Sequence, residues 1–387
     1  MKLDATLPQN KLEKAISDSS YFQLLERTRI KFQKTGIPKW ILQSESEPSF
    51  VVSHNSDSDE IPDEVLERHI PISGGNLFRF DLVQHPTYST VIFSWHHILL
   101  DAFGASHALA SINDPQITHI PTYFGNEKRE SKRKQWSDLM TAKNYLRATT
   151  KDPLLKIEPR HKNARVAYKE KRFSVEETAN IRKQINATSR GGVETPYLLA
   201  NIVMAYQQLL SQRGETRKDI WVPIPMEQRK SGATGPIIGN WHSLLFFRIK
   251  ANLMDDKTAM VKDLSSQLFN QVKLGIPQKY ANMLRLLRHL PIPFYYKLVK
   301  RPNGESLTGM LYSQSPSHEG LSSFLGCQVL DTTPLPPNTS PPGISFQITT
   351  FDKRLKLIVQ YSESYFSEKE IIDLLKAIDK ELIGANA

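Results

Sequence analysis

The twenty residues from Asn76 to Trp95 constrain the fold more than any other stretch. Asn76–Val83 alternates apolar and polar side chains, His85–Tyr88 is turn-forming, and Ser89–Trp95 is β-branched and aromatic. Alternation interrupted by a turn is the pattern of a β-hairpin. A helical stretch from about Ala102 to Ile112 follows at once. The same mixture recurs in the second half. Strands are expected at Arg165–Phe173, Asp219–Met226 and Trp241–Lys250, and a hairpin at Ile344–Phe351 and Leu355–Tyr361. Ser174 with Glu177, and Ser367 with Glu370, have the spacing of capping boxes that open helices. Thr195-Pro196 is placed to cap an apolar helix, Tyr197–Leu210, that Gly214 ends. Ile371, Leu374, Leu375, Ile378 and Leu382 form one apolar stripe on the last helix. Near the start, Pro8–Arg29 reads as one amphipathic helix with Leu12, Ile16, Phe22 and Leu25 on one side. Strands and helices mixed in both halves point to an α/β chain.

A length of 387 residues suits two or three domains. We expect an N-terminal lobe over 1–160 and a C-terminal lobe over 161–387, with a basic linker at about 126–172. Lys128, Arg129, Lys132, Arg133 and Lys134 form its densest cluster, which is either solvated surface or a site for an acidic partner. At 39% hydrophobic and 23% charged residues, the chain is not disordered, collagen-like or coiled-coil. Cys327 is the single cysteine, so there is no intrachain disulfide and no thiolate-rich metal site. It reads as a small core residue. No apolar run approaches the roughly 18 residues that span a bilayer, and Met1–Ala5 lacks the apolar core of a signal peptide. The expectation is a soluble, cytoplasmic protein. A net charge of +10 speaks to partners: nucleic acid, an anionic membrane, cofactor phosphates or an acidic carrier protein. Without helix-turn-helix, zinc-finger or RNP-like runs, nucleic acid is set aside.

The chemistry concentrates in Trp95–Gly104, at the junction of the hairpin's second strand and the helix. Neighbouring strand residues point to opposite faces, so His96 and His97 are expected to separate, one inward and one into a cleft. Joint metal ligation by the two is therefore not expected, and no Cys or carboxylate cluster completes a ligand set. A neutral histidine in a cleft suits general-base work near pH 7. Asp101, four residues after His97, is placed either to orient it or to pair with an arginine and stiffen the loop.

His96-His97-x-x-x-Asp101 resembles the active-site motif of a large acyltransferase superfamily. Its members include chloramphenicol acetyltransferase, the condensation domains of nonribosomal peptide synthetases, wax ester synthases and plant BAHD acyltransferases. Two further blocks carry the likeness. Ile220–Arg229 followed by Ile238–Arg248 is similar to the family's strand, arginine, loop, Gly-Asn, strand arrangement. Gly320–Gly326 echoes a Ser/Thr/Asn-rich strand. The chain departs from the family in two ways. Ala102 stands where relatives usually have glycine, with Gly104 two residues on to take over the turn. The Asp-Phe-Gly-Trp-Gly block of the plant enzymes is absent.

The resemblance, which spans roughly residues 5–383, implies a two-lobed chloramphenicol acetyltransferase-like α/β sandwich. Each lobe would carry a mixed sheet with helices, and an active-site channel would run between them. It implies acyl transfer from a thioester donor, acyl-CoA or an acyl carrier protein, to an alcohol or amine, with no permanently bound cofactor or metal. CoA or phosphopantetheine arrives as the donor's thiol. His97 is then the general base, His96 is structural, and Asp101 turns away to a salt bridge with Arg229. Asn240 and Ser323 are channel or oxyanion candidates, and Trp241 and His242 are candidate channel wall. A catalytically silent module that docks carrier proteins or partner enzymes is the alternative. Gly275–Arg301 interleaves basic with apolar and aromatic residues, a composition that can lie at a membrane surface and would suit a lipid-like acceptor. A small-molecule acceptor from lipid or secondary-metabolite chemistry fits the same superfamily.

Overall fold

The structure is a computed structural model. It describes residues 1–32, 38–45, 51–114, 131–151, 153–162, 165–229, 238–287, 290, 308–315, 321–337 and 340–384. Lys128, Arg129, the glycine-rich loop 231–236 and the larger part of 288–307 lie outside these residues.

The chain divides into two compact α/β units built from interleaved segments. The first comprises Met1–Arg129, Gln228–His242 and Pro316–Pro334. Its elements are β1 (Lys2–Leu3), α1 (Gln9–Asp18), α2 (Ser20–Arg27), β2 (Thr28–Lys31), β3 (Lys39–Leu42), β4 (Val51–Asn55), α3 (Asp63–Glu67), β5 (Phe78–Gln84), β6 (Ser89–Trp95) and α4 (Ala102–Asn113). The second unit, Glu130–Glu227, Ser243–Ser315 and Leu335–Ala387, begins with α5 (Lys132–Thr149), β7 (Val166–Arg172), α6 (Val175–Thr188), α7 (Glu194–Gln212) and β8 (Ile220–Glu227). After β9 (His242–Ile249) come α8 (Lys257–Lys273), α9 (Ile276–Leu287) and β10 (Leu311–Gln314). The chain then gives β11 (Ser323–Phe324) and β12 (Cys327–Asp331) to the first unit. β13 (Ile344–Phe351), β14 (Arg354–Ser362) and α10 (Glu368–Ile383) close the second.

A six-stranded mixed sheet, ordered β11-β12-β1-β6-β5-β4, is the frame of the first unit. The β5–β6 hairpin is antiparallel and β4 joins β5 in parallel. Phe22 of α2 packs on Phe78, Phe80 and Phe93 with ring centroids 5.3–5.5 Å apart, which fastens the helix to the hairpin. Two helices replace the single one expected over 8–29. Ser19 breaks the run, and its hydroxyl accepts the Phe22 N–H as the cap of α2. Leu12, Ile16, Phe22 and Leu25 are all buried, so the apolar face survives the break.

The second unit is built on a four-stranded sheet, β10-β13-β14-β7. Asp352 and Lys353, both at positive φ, turn β13 into β14. Both capping boxes form, at α6 and α10, and the α10 stripe is buried. The start of α7 differs from expectation: Val193, not Thr195, is its cap residue, and the helix begins at Glu194. A second apolar cluster of Leu154, Trp221, Phe246 and Ile276 takes in Tyr145 and Leu146 of α5 and Tyr280 of α9. This cluster fixes which side of α5 turns inward. Cys327 is half-buried rather than part of the core.

Candidate active site

All the site residues described here belong to the first unit. β6 and β5 pair residue for residue up to Trp95 and Phe78. The His96 N–H still finds the Leu77 carbonyl at 2.7 Å. Beyond it the partner strand ends and the chain turns, the Leu99 N–H donating to the His96 carbonyl at 2.8 Å. The Trp95 indole Nε1–H spans the turn to the Leu100 carbonyl at 2.9 Å. The two histidines therefore lie in a turn past the strand end, where strand alternation does not operate.

Hydrogen bonding separates them instead. His96 Nδ1 accepts the Ile98 N–H at 3.2 Å, which requires that nitrogen to be unprotonated. Burial, and then the neighbouring His97, hold the His96 pKa below its ordinary value. His96 is thus a neutral brace of the turn. His97 is exposed. Its ring stands edge-on to that of His242, with centroids 6.2 Å apart. Its backbone carbonyl accepts from Asn240 Nδ2 at 2.9 Å. Asn240 thus spends an amide N–H on holding the turn.

Asp101 is 6% exposed and caps α4. Oδ1 accepts from the Gly104 N–H at 2.9 Å and Arg229 Nη2 at 3.1 Å. Oδ2 accepts from the Trp241 N–H at 2.9 Å and Arg229 Nη1 at 3.0 Å. A carboxylate offers about four lone-pair sites, and here all are taken, so none is left for His97. Of the two roles the sequence left open for Asp101, the geometry has the arginine pair. The Arg229 side chain is 3% exposed and lies 4.4 Å over the Phe103 ring. Burial, followed by the Arg229 charge, lowers the pKa of His107, whose ring also packs on Phe103, with centroids 4.4 Å apart.

Two expectations about this region are corrected. Ala102 is the first residue of α4, after a cap with extended backbone (φ −88°, ψ 179°). Neither it nor Gly104 has positive φ, and Gly104 supplies an N–H to the cap rather than a turn. The left-handed glycine of the site is Gly239, at φ +88°, whose N–H reaches the Leu99 carbonyl at 2.6 Å. Ser323 is exposed on β11, and its carbonyl accepts from Asn113 at the far end of α4. That helix has 12 residues, a length of about 18 Å at 1.5 Å per residue. Ser323 is therefore not brought to His97.

Sequence reasoning missed Phe103 and the backbone N–H of Trp241. Nothing in the local pattern marks a main-chain donor 140 residues away in sequence. Among the described residues, no group of three or more His, Cys, Asp or Glu side chains is arranged to hold a metal ion.

No known protein family's sequence profile matches the chain, and no curated protein matches it either. Solved structures do, over nearly its whole length. The trichothecene 15-O-acetyltransferase from Fusarium sporotrichioides superposes with a TM-score of 0.70, at 13% identity over 99% of this chain and 89% of that one. The first condensation domain of the calcium-dependent antibiotic synthetase, in complex with a substrate analogue, gives 0.67 at 11% identity over 100% and 90%.

The fold is that of condensation domains.

The epimerization domain from the third module of tyrocidine synthetase B shares it as well, at 0.64 and 14% identity over 99% and 89%. The condensation fold therefore carries more than one chemistry, and the site has to be read from its own residues.

Proposed function

We propose that the protein is an acyltransferase that moves an acyl group from a thioester donor to an alcohol or amine, with His97 as general base. The observation that carries this is the placement of His97. It is an exposed imidazole on a turn braced by His96 Nδ1, by Asn240 and by the Trp95 indole. The adjoining carboxylate, Asp101, is wholly engaged in fixing Arg229, Trp241 and the helix start. A rigidly held base with an open face can take a proton from a bound acceptor. The acceptor's O–H or N–H proton passes to His97 as its lone pair attacks the thioester carbonyl carbon. The tetrahedral intermediate then breaks its C–S bond, and the leaving thiolate recovers the proton from the imidazolium. Ester or amide and free thiol result. Positioned general bases contribute about 10²–10⁴ in rate.

The donor is acyl-CoA or an acyl carrier protein, and its CoA or phosphopantetheine thiol is the product released. Arg229 and Asp101 act through the turn and are positioning residues, as is Asn240.

The test is thiol release with a panel of acyl-CoAs and acylated carriers, in the presence of alcohols and amines, with the product mass recorded. Acceptor-dependent thiol release with a matching ester or amide mass supports the proposal. Tight donor binding with no release from any donor would make the protein a docking module. Solvent-deuterium incorporation into a bound acyl group without thiol release would assign the base to epimerisation.

A further inference from the structure

Trp136, at 66% exposure, is the most exposed large apolar side chain among the described residues. The other four tryptophans are buried or half-buried. It stands on α5, one helical turn before Met140, which is 38% exposed. Lys143 and Arg147 continue the spacing, and Lys132 and Arg133 precede Trp136 by four and three residues. Side chains three and four residues apart share a helix face, so these six form one stripe. From Arg133 to Arg147 it runs about 21 Å. The opposite side of α5 is committed, with Ala142 and Asp138 buried. Asp138 accepts from Asn282 Nδ2 of α9 at 2.7 Å and pairs with Lys134 at 3.5 Å.

Among the described residues the charge on this face has no acidic partner. Asp138 is the single acid of α5 and it points inward. Lys132, Arg133, Lys143 and Arg147 are exposed and make no ion pair among the described residues. The basic strand β7 and its approach behave differently. Arg160 pairs with Glu370, Lys169 with Glu368 and Lys171 with Asp379. Within the basic stretch 126–172, the described part of 151–172 is largely paired within its own unit, while these four bases of α5 have no acidic partner among the described residues. As in 275–301, basic side chains here stand beside apolar ones, Trp136 and Met140.

We propose that the α5 stripe is a docking surface for an anionic lipid membrane. One sign of charge, spread along one helix face around an exposed indole, matches a flat negative plane. Tryptophan settles at the headgroup level of such a surface, and Lys and Arg lie along it with their heads in water. A soluble acidic partner would meet the same charges but offers no plane for the indole to enter, and the two are separated in the test below. Two apolar side chains are too few to anchor the protein, so attachment is electrostatic, reversible and salt-sensitive. The inference is independent of the reaction proposed above and stands or falls without it.

The test is co-sedimentation of the full chain with two kinds of vesicle, phosphatidylcholine alone or with about 30% phosphatidylserine. Salt is set at ~50 mM and ~0.5 M, where screening lengths differ several-fold. Binding is expected only to the anionic vesicles and only at low salt, with a blue shift of emission that Trp136→Phe abolishes. Lys143→Glu and Arg147→Glu are each expected to lower partitioning at least about fivefold, since one basic residue near the surface contributes about 1 kcal/mol. Lys183→Glu and Lys262→Glu, exposed bases on α6 and α8, are the controls and leave binding nearly unchanged. All these side chains are exposed, so melting temperature verifies that each variant is folded. Absence of binding at low salt overturns the proposal, as does binding that the α5 variants retain. Binding to polyglutamate but not to vesicles overturns it in favour of a soluble acidic partner.

Discussion

His96 and His97 carry the same ring one bond apart, and their surroundings give them opposite properties. The Ile98 N–H and burial keep His96 neutral, while His97 faces outward. This has a pH consequence for His96. Its folded-state pKa lies below the ordinary value of about 6.5, so the native state binds fewer protons than the unfolded one. The stability it contributes is complete above about pH 6.5 and is lost as pH falls toward the lowered value. Thermal melting of the wild type is therefore expected to drop more steeply between about pH 7 and pH 5 than that of His96→Asn, whose amide oxygen keeps the acceptor. Equal slopes would remove His96 from the titration. Asp101 and Arg229 make the second residue-scale expectation. Asp101→Ala leaves a buried guanidinium unpaired and is expected to cost about 3–5 kcal/mol in urea unfolding. A variant as stable as wild type would show that the pair does not hold the turn. The identity of these residues was legible in the sequence. The reason the two histidines separate was not, because strand alternation stops where the strand ends and both lie in the turn beyond it.

Elements with local signals emerged within one or two residues. The β5–β6 hairpin, α4, both capping boxes and the β13–β14 turn all follow from neighbours in sequence. Failures occurred where a tertiary contact overrode a local signal. Ser19 reads as one polar residue in an amphipathic run, yet its hydroxyl meets Ser111 of α4 at 2.8 Å in a buried position, and the helix breaks there. Thr195-Pro196 has the sequence of a cap, but the Thr195 hydroxyl is spent on the Gln314 side chain. Gly239 was seen only as part of a Gly-Asn pair. It holds φ +88°, and a prospective Cβ would meet Trp241 Nε1 at 3.7 Å, an ordinary van der Waals contact. Strain from the backbone, rather than a clash, then governs substitution. Gly239→Ala is expected to cost about 1–2 kcal/mol, and Gly239→Asn less, since asparagine tolerates the left-handed region. Equal costs for the two, measured by chemical denaturation, would point to a packing effect instead.

The whole molecule is two units woven from one chain, and that weave left little trace in the sequence. A contiguous cut near residue 160 looked natural because the basic stretch at 126–172 reads as a linker. In the structure β1 pairs with β12, Lys2 opposite Asp331, and no local pattern announces a partner more than 300 residues away. The fragment 1–160 lacks β11, β12 and Arg229. It is expected to show neither cooperative melting nor dispersed amide resonances. A well-folded fragment would mean that the first unit does not need its returning segments. The returning segment 228–242 matters most for function, because it brings Arg229, Asn240 and Trp241 to the turn that carries His97. The proposed chemistry rests on that turn, and one measurement reaches it directly: acceptor-dependent thiol release by wild type, His97→Ala and His96→Asn, each with its melting temperature. His97→Ala is expected to melt like wild type and to release thiol about 10²–10⁴ times more slowly, with His96→Asn retaining most of the rate. A His97→Ala protein that turns over at the wild-type rate would contradict the assignment of His97 as the base.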